Sequence, residues 1–328
     1  MVNIAINGFG RIGKKFFLAC LKNNVNWNFI INDLSSIENL AYLLKYDTIH
    51  YEKIDVKTDK EHLIVNGKKI KVYSIKDPAL LPWKAEKIDL VVDCTGFYTK
   101  GEDAKKHLDV GAKRVLISAP AKGHDITVVY GVNDEKLKKE HKIVSAGSCT
   151  TNCISPMVKI LNDKFKIKKA HFVTTHAYTA TQRLIDGIDN KDLRRGRAAS
   201  QNIIPSTSGA SQSVIEAIPD LKGKLQGYAL RVPVVDGSIS TVVAELGRKT
   251  TVEEINSLFK SMSQKEYKKI LAYTEEQLVS TDIHYNPASC TFDSALTFVN
   301  ENLVSIAGWY DNEWGYSNRL VDVAKMLV

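Results

Sequence analysis

The stretch Ile4-Ala5-Ile6-Asn7-Gly8-Phe9-Gly10-Arg11-Ile12-Gly13 decides the fold of this chain. Its first half belongs to residues 2–7, where Val2, Ile4 and Ile6 alternate with other residues. Side chains on a strand point to opposite faces in turn, so this alternation predicts a first, buried β-strand. Residues 8–13 then form a glycine-rich turn with glycines at 8, 10 and 13. Residues 14–22 carry Phe17, Leu18 and Leu21 at helical spacing, and residues 27–32 are strand-like and end at Asp33. Strand, turn, helix and strand within roughly 30 residues is the βαβ unit of a parallel sheet.

The glycine spacing has a physical meaning in that position. The first glycine permits the tight turn, the second lets the backbone approach a pyrophosphate, and the third lets helix and strand pack closely. The helix start attracts the negative charge. Asp33 stands 20 residues beyond Gly13 (33 − 13). A carboxylate there accepts hydrogen bonds from an adenine-ribose hydroxyl and repels a 2′-phosphate, which favours NAD over NADP. The hexapeptide alone is a weak signal and is also compatible with an unrelated glycine turn beside a loop aspartate. Its context after a strand and before a helix favours the dinucleotide.

Working outward, residues 36–45 read as a helix, and residues 62–73 alternate around Asn66-Gly67, a strong hairpin signal. Short apolar runs at 90–93 and 114–117 flank a charged helical segment at 102–108. Strand and helix therefore keep alternating, as in a doubly wound α/β domain. The pattern changes after Ser148. A helix at 151–165 precedes longer β-rich segments at 170–175, 225–233, 238–246 and 303–309, with a helix at 252–262 among them. The last stretch, 315–327, sets Leu320, Val323, Ala324 and Leu327 on one helical face. The expected fold class is α/β. A Rossmann-type doubly wound parallel-sheet domain covers 1–148, and the C-terminal helix 314–328 packs back on it. An α+β catalytic domain with a mainly antiparallel sheet covers 149–313.

Composition narrows the function classes. The 328 residues are 44% hydrophobic and 25% charged, an ordinary globular balance. The start shows no basic segment followed by an apolar one, and no apolar run approaches the roughly 18 residues of a membrane span. The expected location is cytoplasmic, with no membrane partner. Five scattered cysteines, an odd number, argue against a disulfide framework, and Cys149 and Cys153 do not have zinc-knuckle spacing, so no metal is expected. The net charge of +8 suits anionic small molecules. The basic runs lack interleaved aromatics, so nucleic acid is not expected as the main role.

Ser148-Cys149-Thr150-Thr151-Asn152 sits where a strand-like segment gives way to a helix. The positive end of a helix lowers the pKa of a nearby thiol, which marks Cys149 as a candidate nucleophile. Cys153, one turn on and facing inward, reads as a structural thiol. A thiolate needs a base partner, and the chain has eight histidines. His62, His107, His124 and His141 lie in charged contexts and read as surface residues. His176 ends an apolar run and precedes the polar turn Ala177-Tyr178-Thr179. Spacing alone leaves His176 one candidate among several.

Four strings taken in order along the whole chain are similar to the glyceraldehyde-3-phosphate dehydrogenase family: residues 8–13, 148–153, 176–182 (His-Ala-Tyr-Thr-Ala-Thr-Gln) and 309–317 (Trp-Tyr-Asp-Asn-Glu-Trp-Gly-Tyr-Ser). The resemblance implies a phosphorylating, NAD-dependent oxidation of glyceraldehyde 3-phosphate. Cys149 would form a thiohemiacetal and then a thioester. His176 would act as base, and inorganic phosphate would release an acyl phosphate. It implies cofactor contacts at Gly8, Gly10, Arg11, Ile12, Gly13, Asp33, Thr95 and Ser118. Asn312 would hold the nicotinamide carboxamide, with Tyr316 near the ring. Phosphate-binding roles fall on Ser148, Thr150, Thr179, Arg194, Ser208, Gly209 and Arg231. An arginine fork suits a phosphate dianion. A homotetramer is implied, with residues 178–200 at an interface beside the cofactor.

Some positions depart from the family pattern. Lys14 stands for a common arginine, Ser208 for a threonine, Gln212 for a frequent lysine, and Gly187-Ile188 for the Leu-Pro pair of many strictly NAD-dependent members. Three alternatives remain beside this reading. They are an erythrose-4-phosphate dehydrogenase, a semialdehyde dehydrogenase (which the 309–317 string does not fit), and an RNA- or partner-binding protein on the same fold.

Overall fold

A computed structural model describes residues 1–190 and 192–328, so residue 191, inside the implied 178–200 interface segment, lies outside the described residues. The chain divides into two compact units. One comprises Met1–Val128, Asp134–Gly147 and Ser317–Val328; the other comprises Val129–Asn133 and Ser148–Tyr316.

The first unit opens with β1 (Val2–Asn7), α1 (Arg11–Lys22), β2 (Trp27–Asn32) and α2 (Ile37–Lys45). Ser36 caps α2, its hydroxyl accepting from the Asn39 amide at 3.3 Å. There follow β3 (Val56–Thr58), β4 (His62–Val65), β5 (Lys68–Tyr73), β6 (Leu90–Asp93), α3 (Gly101–Asp109), β7 (Arg114–Ile117), β8 (Ile126–Thr127) and β9 (Ile143–Ser145). Between β4 and β5, Asn66 and Gly67 take φ of 50° and 79°. Two left-handed residues in succession match the right-handed twist of a hairpin, which is why Asn-Gly marks that turn. The nine-stranded sheet runs β3-β4-β5-β2-β1-β6-β7-β9-β8, antiparallel only at its β3-β4-β5 end. Its order turns around at β1, which pairs in parallel with β2 on one side and β6 on the other. In such sheets ligands bind beyond the carboxyl ends of the strands at this reversal.

One sequence expectation is overturned here. His107 is fully buried rather than on the surface. Its Nδ1 accepts from the Trp83 indole N–H at 2.9 Å, and its Nε2 lies 3.5 Å from Asp93. The charged neighbours of His107 line the outer face of α3, and its own side chain turns inward with Ala104, three residues earlier on the helix.

The second unit contains α4 (Cys149–Phe165), β10 (Ile167–Ala177), β11 (Ile204–Thr207), α5 (Ala210–Ala217), β12 (Leu225–Val232), β13 (Ser238–Leu246), α6 (Val252–Gln264), β14 (Leu271–Thr274), β15 (Cys290–Asn300) and β16 (Leu303–Tyr310). A last helix, α7 (Trp314–Leu327), begins here, and its residues from Ser317 onward belong to the first unit. The seven strands run β11-β12-β10-β13-β16-β15-β14. Four neighbouring pairs are antiparallel, while β10-β12 and β14-β15 are parallel. Alternation decides the two faces. Phe172, Val242 and Ile306 are buried with Ile154, Val214 and Phe259 of the helices, whereas the neighbouring His171 and Val243 are exposed. The sequence reading missed β15. Its buried positions include Thr291, Asp293 and Ser294, so polar residues inside the sheet hide the apolar alternation. It also passed over β11, β14 and α5, which are too short to show a period.

Candidate active site

In the first unit the glycine turn is shaped by contact distances. A Cβ on Gly13 would lie 2.2 Å from the Gly8 carbonyl oxygen. Gly8 has φ of +88°, and a Cβ there would come within 2.9 Å of the Thr95 amide nitrogen. Both positions therefore require glycine. Gly10 is different, because a Cβ there would meet nothing within 4 Å. Its bareness leaves space over the start of α1, where no side chain caps the first amides. Uncapped amides at a helix start are donors available to an anion. The Arg11 guanidinium grips Asp47 at 2.6 and 3.2 Å, and the main chain of Arg11 and Ile12 forms the first turn of α1. Asp33 accepts from the Phe9 amide at 2.7 Å and so is anchored to the turn. A cleft beside it is lined by Gly8, Gly10, Asp33, Leu34, Thr95 and Phe97. Thr95 is held by Asp93, which accepts from its amide at 3.1 Å and its hydroxyl at 2.7 Å. The Ser118 amide donates to the Asp93 carbonyl at 3.0 Å. Anchored carboxylate, bare glycine turn and open helix start are the features a dinucleotide requires.

In the second unit the thiol site starts from a helix cap. The Ser148 hydroxyl accepts from the Thr151 amide at 3.0 Å, and the Ser148 amide donates to the Thr151 hydroxyl at 3.1 Å. This reciprocal box fixes the first turn of α4 and puts Cys149 at its first position. His176 is the penultimate residue of β10, and its Cα pairs with Arg231 on parallel β12. That register sets His176 beside Arg231, and the start of α4 brings Cys149 to the same imidazole. Cys149 Sγ lies 3.3 Å from His176 Nε2, and Arg231 Nη1 lies 2.5 Å from His176 Nδ1. Nδ1 also lies 2.7 Å from the Ala177 carbonyl oxygen. A guanidinium can only donate, so Nδ1 either carries a proton for Ala177 or offers a lone pair to Arg231. The first arrangement leaves the Nε2 lone pair facing the sulfur. Tyr310 packs edge-on to the imidazole at 5.9 Å, and its hydroxyl pairs with Thr150 at 3.1 Å and Thr174 at 2.7 Å.

The electrostatics differ from the sequence expectation. Burial pushes the Cys149 thiol up, and this outweighs the pull of Arg231 and of the Thr150 amide and hydroxyl in the opposite direction. Burial, seconded by the positive charge of Arg231, pushes His176 down to about 3. The helix start acts on Cys149 as expected, but desolvation is the larger effect. The resting pair is therefore neutral thiol and neutral imidazole. Among the other thiols, burial pushes Cys94 up to about 12, and Cys153 is wholly buried and also raised.

The remaining expected site residues have the following local settings. Thr179 lies just beyond β10, its hydroxyl 3.0 Å from that of Thr181. Ser208 and Gly209 stand at the start of α5, where the Ser208 hydroxyl accepts from Ala210 at 3.2 Å. Arg194 is exposed; the neighbour whose charge reaches Arg231 is Arg195. Sequence reasoning passed over Arg195, and the tandem Arg194-Arg195 was the available signal. Asn312 and Tyr316 are both buried, following β16 and within α7. It also passed over Ser238, whose hydroxyl lies 2.6 Å from Asn312 Oδ1.

Comparison with known proteins shows the family of the chain. A family model described as the NAD binding domain of glyceraldehyde 3-phosphate dehydrogenase matches residues 2–101, and one described as its C-terminal domain matches residues 148–312. The chain is 50% identical over 327 residues to glyceraldehyde-3-phosphate dehydrogenase of Streptomyces coelicolor, covering 98% of this chain and 97% of the relative. It is 48% identical over 326 residues to that of Geobacillus stearothermophilus, with the same coverage. It is 48% identical over 327 residues to glyceraldehyde-3-phosphate dehydrogenase 1 of Bacillus subtilis, again covering 98% and 97%. With both of its parts matched by the family's two domain models, and with relatives this similar along nearly its whole length, the chain belongs to the glyceraldehyde-3-phosphate dehydrogenase family.

Proposed function

We propose that Cys149 is the nucleophile and His176 the base in a phosphorylating oxidation of glyceraldehyde 3-phosphate to 1,3-bisphosphoglycerate. The chain is an NAD-dependent oxidoreductase of its family. The observation that carries the assignment of roles is the 3.3 Å approach of Cys149 Sγ to His176 Nε2. Because the resting pair is neutral, the thiolate is generated on demand. Sγ bonds to the aldehyde carbon as its proton passes to Nε2, and that proton then goes to the carbonyl oxygen to give a thiohemiacetal. His176 takes the hydroxyl proton back as the carbon is oxidised, leaving a thioester. For these transfers His176 keeps its other proton on Nδ1, donated to the Ala177 carbonyl. Bound NAD supplies the hydride acceptor. Inorganic phosphate attacks the thioester, the C–S bond breaks, and the thiolate recovers a proton from His176.

The cradle residues Gly8, Gly10, Gly13 and Asp33, with the amides of Arg11 and Ile12, Thr95 and Ser118, are assigned to NAD, and Asn312 and Tyr316 to its nicotinamide end. Arg231 is assigned to a phosphate, together with Thr179, Ser148, Thr150, Ser208, Gly209 and Arg194. An arginine beside a thiol that must face two phosphate groups is the chemistry such substrates require. The exposed Leu184, Ile185, Ile188 and Leu193 support an assembly contact along residues 178–200 in a homotetramer. Five free cysteines fit a reducing, cytoplasmic compartment. The relatives' names favour neither a four-carbon aldehyde nor an RNA-binding role.

The test is the appearance of NADH absorbance with glyceraldehyde 3-phosphate, with and without inorganic phosphate. Sustained turnover only with phosphate is expected. Equal turnover without it would defeat the acyl-phosphate product.

A further inference from the structure

Ser238 opens β13 and is wholly buried. It lies directly across from the end of β10, and its hydroxyl oxygen accepts a hydrogen bond from the Ala177 amide at 3.1 Å. With that lone pair engaged, its proton remains free to be donated. Asn312 Oδ1 lies 2.6 Å away. This is the length of an O–H···O bond and short for a bond from an amide N–H. The chemistry therefore orients the Asn312 amide with oxygen toward Ser238 and nitrogen away from it.

The backbone around Asn312 is fixed independently. Asp311 accepts from the amides of Glu313 at 2.9 Å, Trp314 at 2.6 Å and Tyr285 at 2.8 Å. Asn312 itself is only 5% exposed. With the turn pinned by Asp311 and the amide oxygen held by Ser238, Asn312 has one polar group left, the two N–H donors on Nδ2. Among the described residues no hydrogen bond from Nδ2 is made. A buried amide with its acceptor satisfied and its donors free is set to recognise a carbonyl oxygen.

We infer that Ser238 is a positioning residue for cofactor binding. By holding Asn312 Oδ1 it presents Nδ2 as a donor to the carboxamide oxygen of the nicotinamide and disfavours the flipped amide, which would present an acceptor. This rests on the assignment of Asn312 to the carboxamide and adds the residue that sets its orientation. Ser238 touches neither substrate nor cofactor in this role. Because it also anchors Ala177, next to His176, it ties the strand that carries the base to the amide that holds the hydride acceptor.

The test compares two ligands by calorimetry on the full chain: NAD, and ADP-ribose, which lacks nicotinamide. Losing one buried hydrogen bond typically changes an equilibrium by about tenfold. Ser238→Ala is expected to weaken NAD about tenfold and to leave ADP-ribose within twofold. In the background of Asn312→Ala, adding Ser238→Ala is expected to have no further effect on NAD, since two residues acting through one contact are not additive. Ser238→Cys, nearly isosteric with only a weak S–H donor, serves if the alanine variant does not fold. Equal weakening of both ligands would make Ser238 merely structural. Additive losses in the double variant would show that it does not act through Asn312. Either result overturns the proposal. If Asn312→Ala alone leaves the NAD to ADP-ribose ratio unchanged, the assignment of Asn312 fails, and the proposal falls with it for a separately identifiable reason.

Discussion

The glycine turn at residues 8–13 and the cluster of Cys149, His176 and Arg231 are built in opposite ways. The turn is made of near neighbours and works by what it lacks. Gly13 cannot take a Cβ because the Gly8 oxygen would be 2.2 Å from it, and the polar groups beside it belong to the main chain. The thiol cluster is made of residues 27 and 55 positions apart; the pairing of β10 with β12 joins His176 to Arg231, and the start of α4 brings Cys149 to them. It works through side chains whose protonation depends on everything around them. The turn therefore depends on steric space, and the thiol site on desolvation and charge.

The contrast can be broken in order of expected effect. Cys149→Ser should lower dehydrogenase turnover by about 10³-fold or more, since an alcohol is a far weaker nucleophile than a thiol at neutral pH. Its NAD affinity, measured by calorimetry, should stay within about threefold of the parent. A large loss of NAD affinity would mean that the two regions are not separable. His176→Asn should slow turnover by about 10²–10³-fold, the usual contribution of a positioned base. It should also slow iodoacetamide alkylation of Cys149 at neutral pH. An unchanged alkylation rate would separate the imidazole from the thiol.

Gly13→Ala attacks the other region. Backbone oxygen cannot move aside as a flexible side chain can, so a stability loss of about 2–3 kcal/mol is expected in chemical denaturation. Cofactor affinity should drop with it. A neutral Gly13→Ala would contradict the steric account of the turn.

The pH response sharpens the electrostatic side. His176 has its folded-state pKa depressed to about 3, below the ordinary histidine value. Its contribution is therefore fully present above pH ~6.5, and is lost as pH falls toward 3 because the unfolded chain takes up the proton first. Between pH 7 and 5 this amounts to about 2 kcal/mol of lost stability, and His176→Asn should remove that part of the acid slope. A parallel slope in the variant would mean that the imidazole is not held neutral. The smallest effect expected is on cofactor choice. Asp33→Ala should relax discrimination against NADP by about tenfold, as judged from the ratio of kcat/KM values, because a repelling carboxylate is lost. Unaltered preference would remove Asp33 from the selection.

The legibility of the two regions in the sequence follows the same division. Strand periodicity, the glycine spacing and the Asn66-Gly67 hairpin are local, and each appears in the structure at the expected residues. The strand–helix junction around Cys149 could also be read, although the helix was expected from residue 151 and begins two residues earlier, at Cys149, where Ser148 caps it. The partnership of Cys149 with His176 could not be reached from spacing alone, since it depends on which strands pair. Arg195 and Ser238 were missed for the same reason. The tandem with Arg194 is the one local sign of Arg195 and Ser238 has none, and the contact of each is with a neighbour distant in sequence. His107 shows the reverse error, where a charged local context concealed a side chain that packs under Trp83.

By itself the sequence determined the βαβ unit, the bare glycine turn, the carboxylate at the end of the second strand and the placing of one cysteine at a strand–helix junction. These follow from periodicity and from the steric needs of single residues, which neighbours along the chain are enough to set. The tertiary structure decided that the imidazole of His176 meets that sulfur, that Arg231 meets the imidazole, and that burial outweighs the helix start so the pair rests uncharged. Desolvation and Coulomb energies depend on what lies within a few ångströms in space, and only the folded chain fixes that.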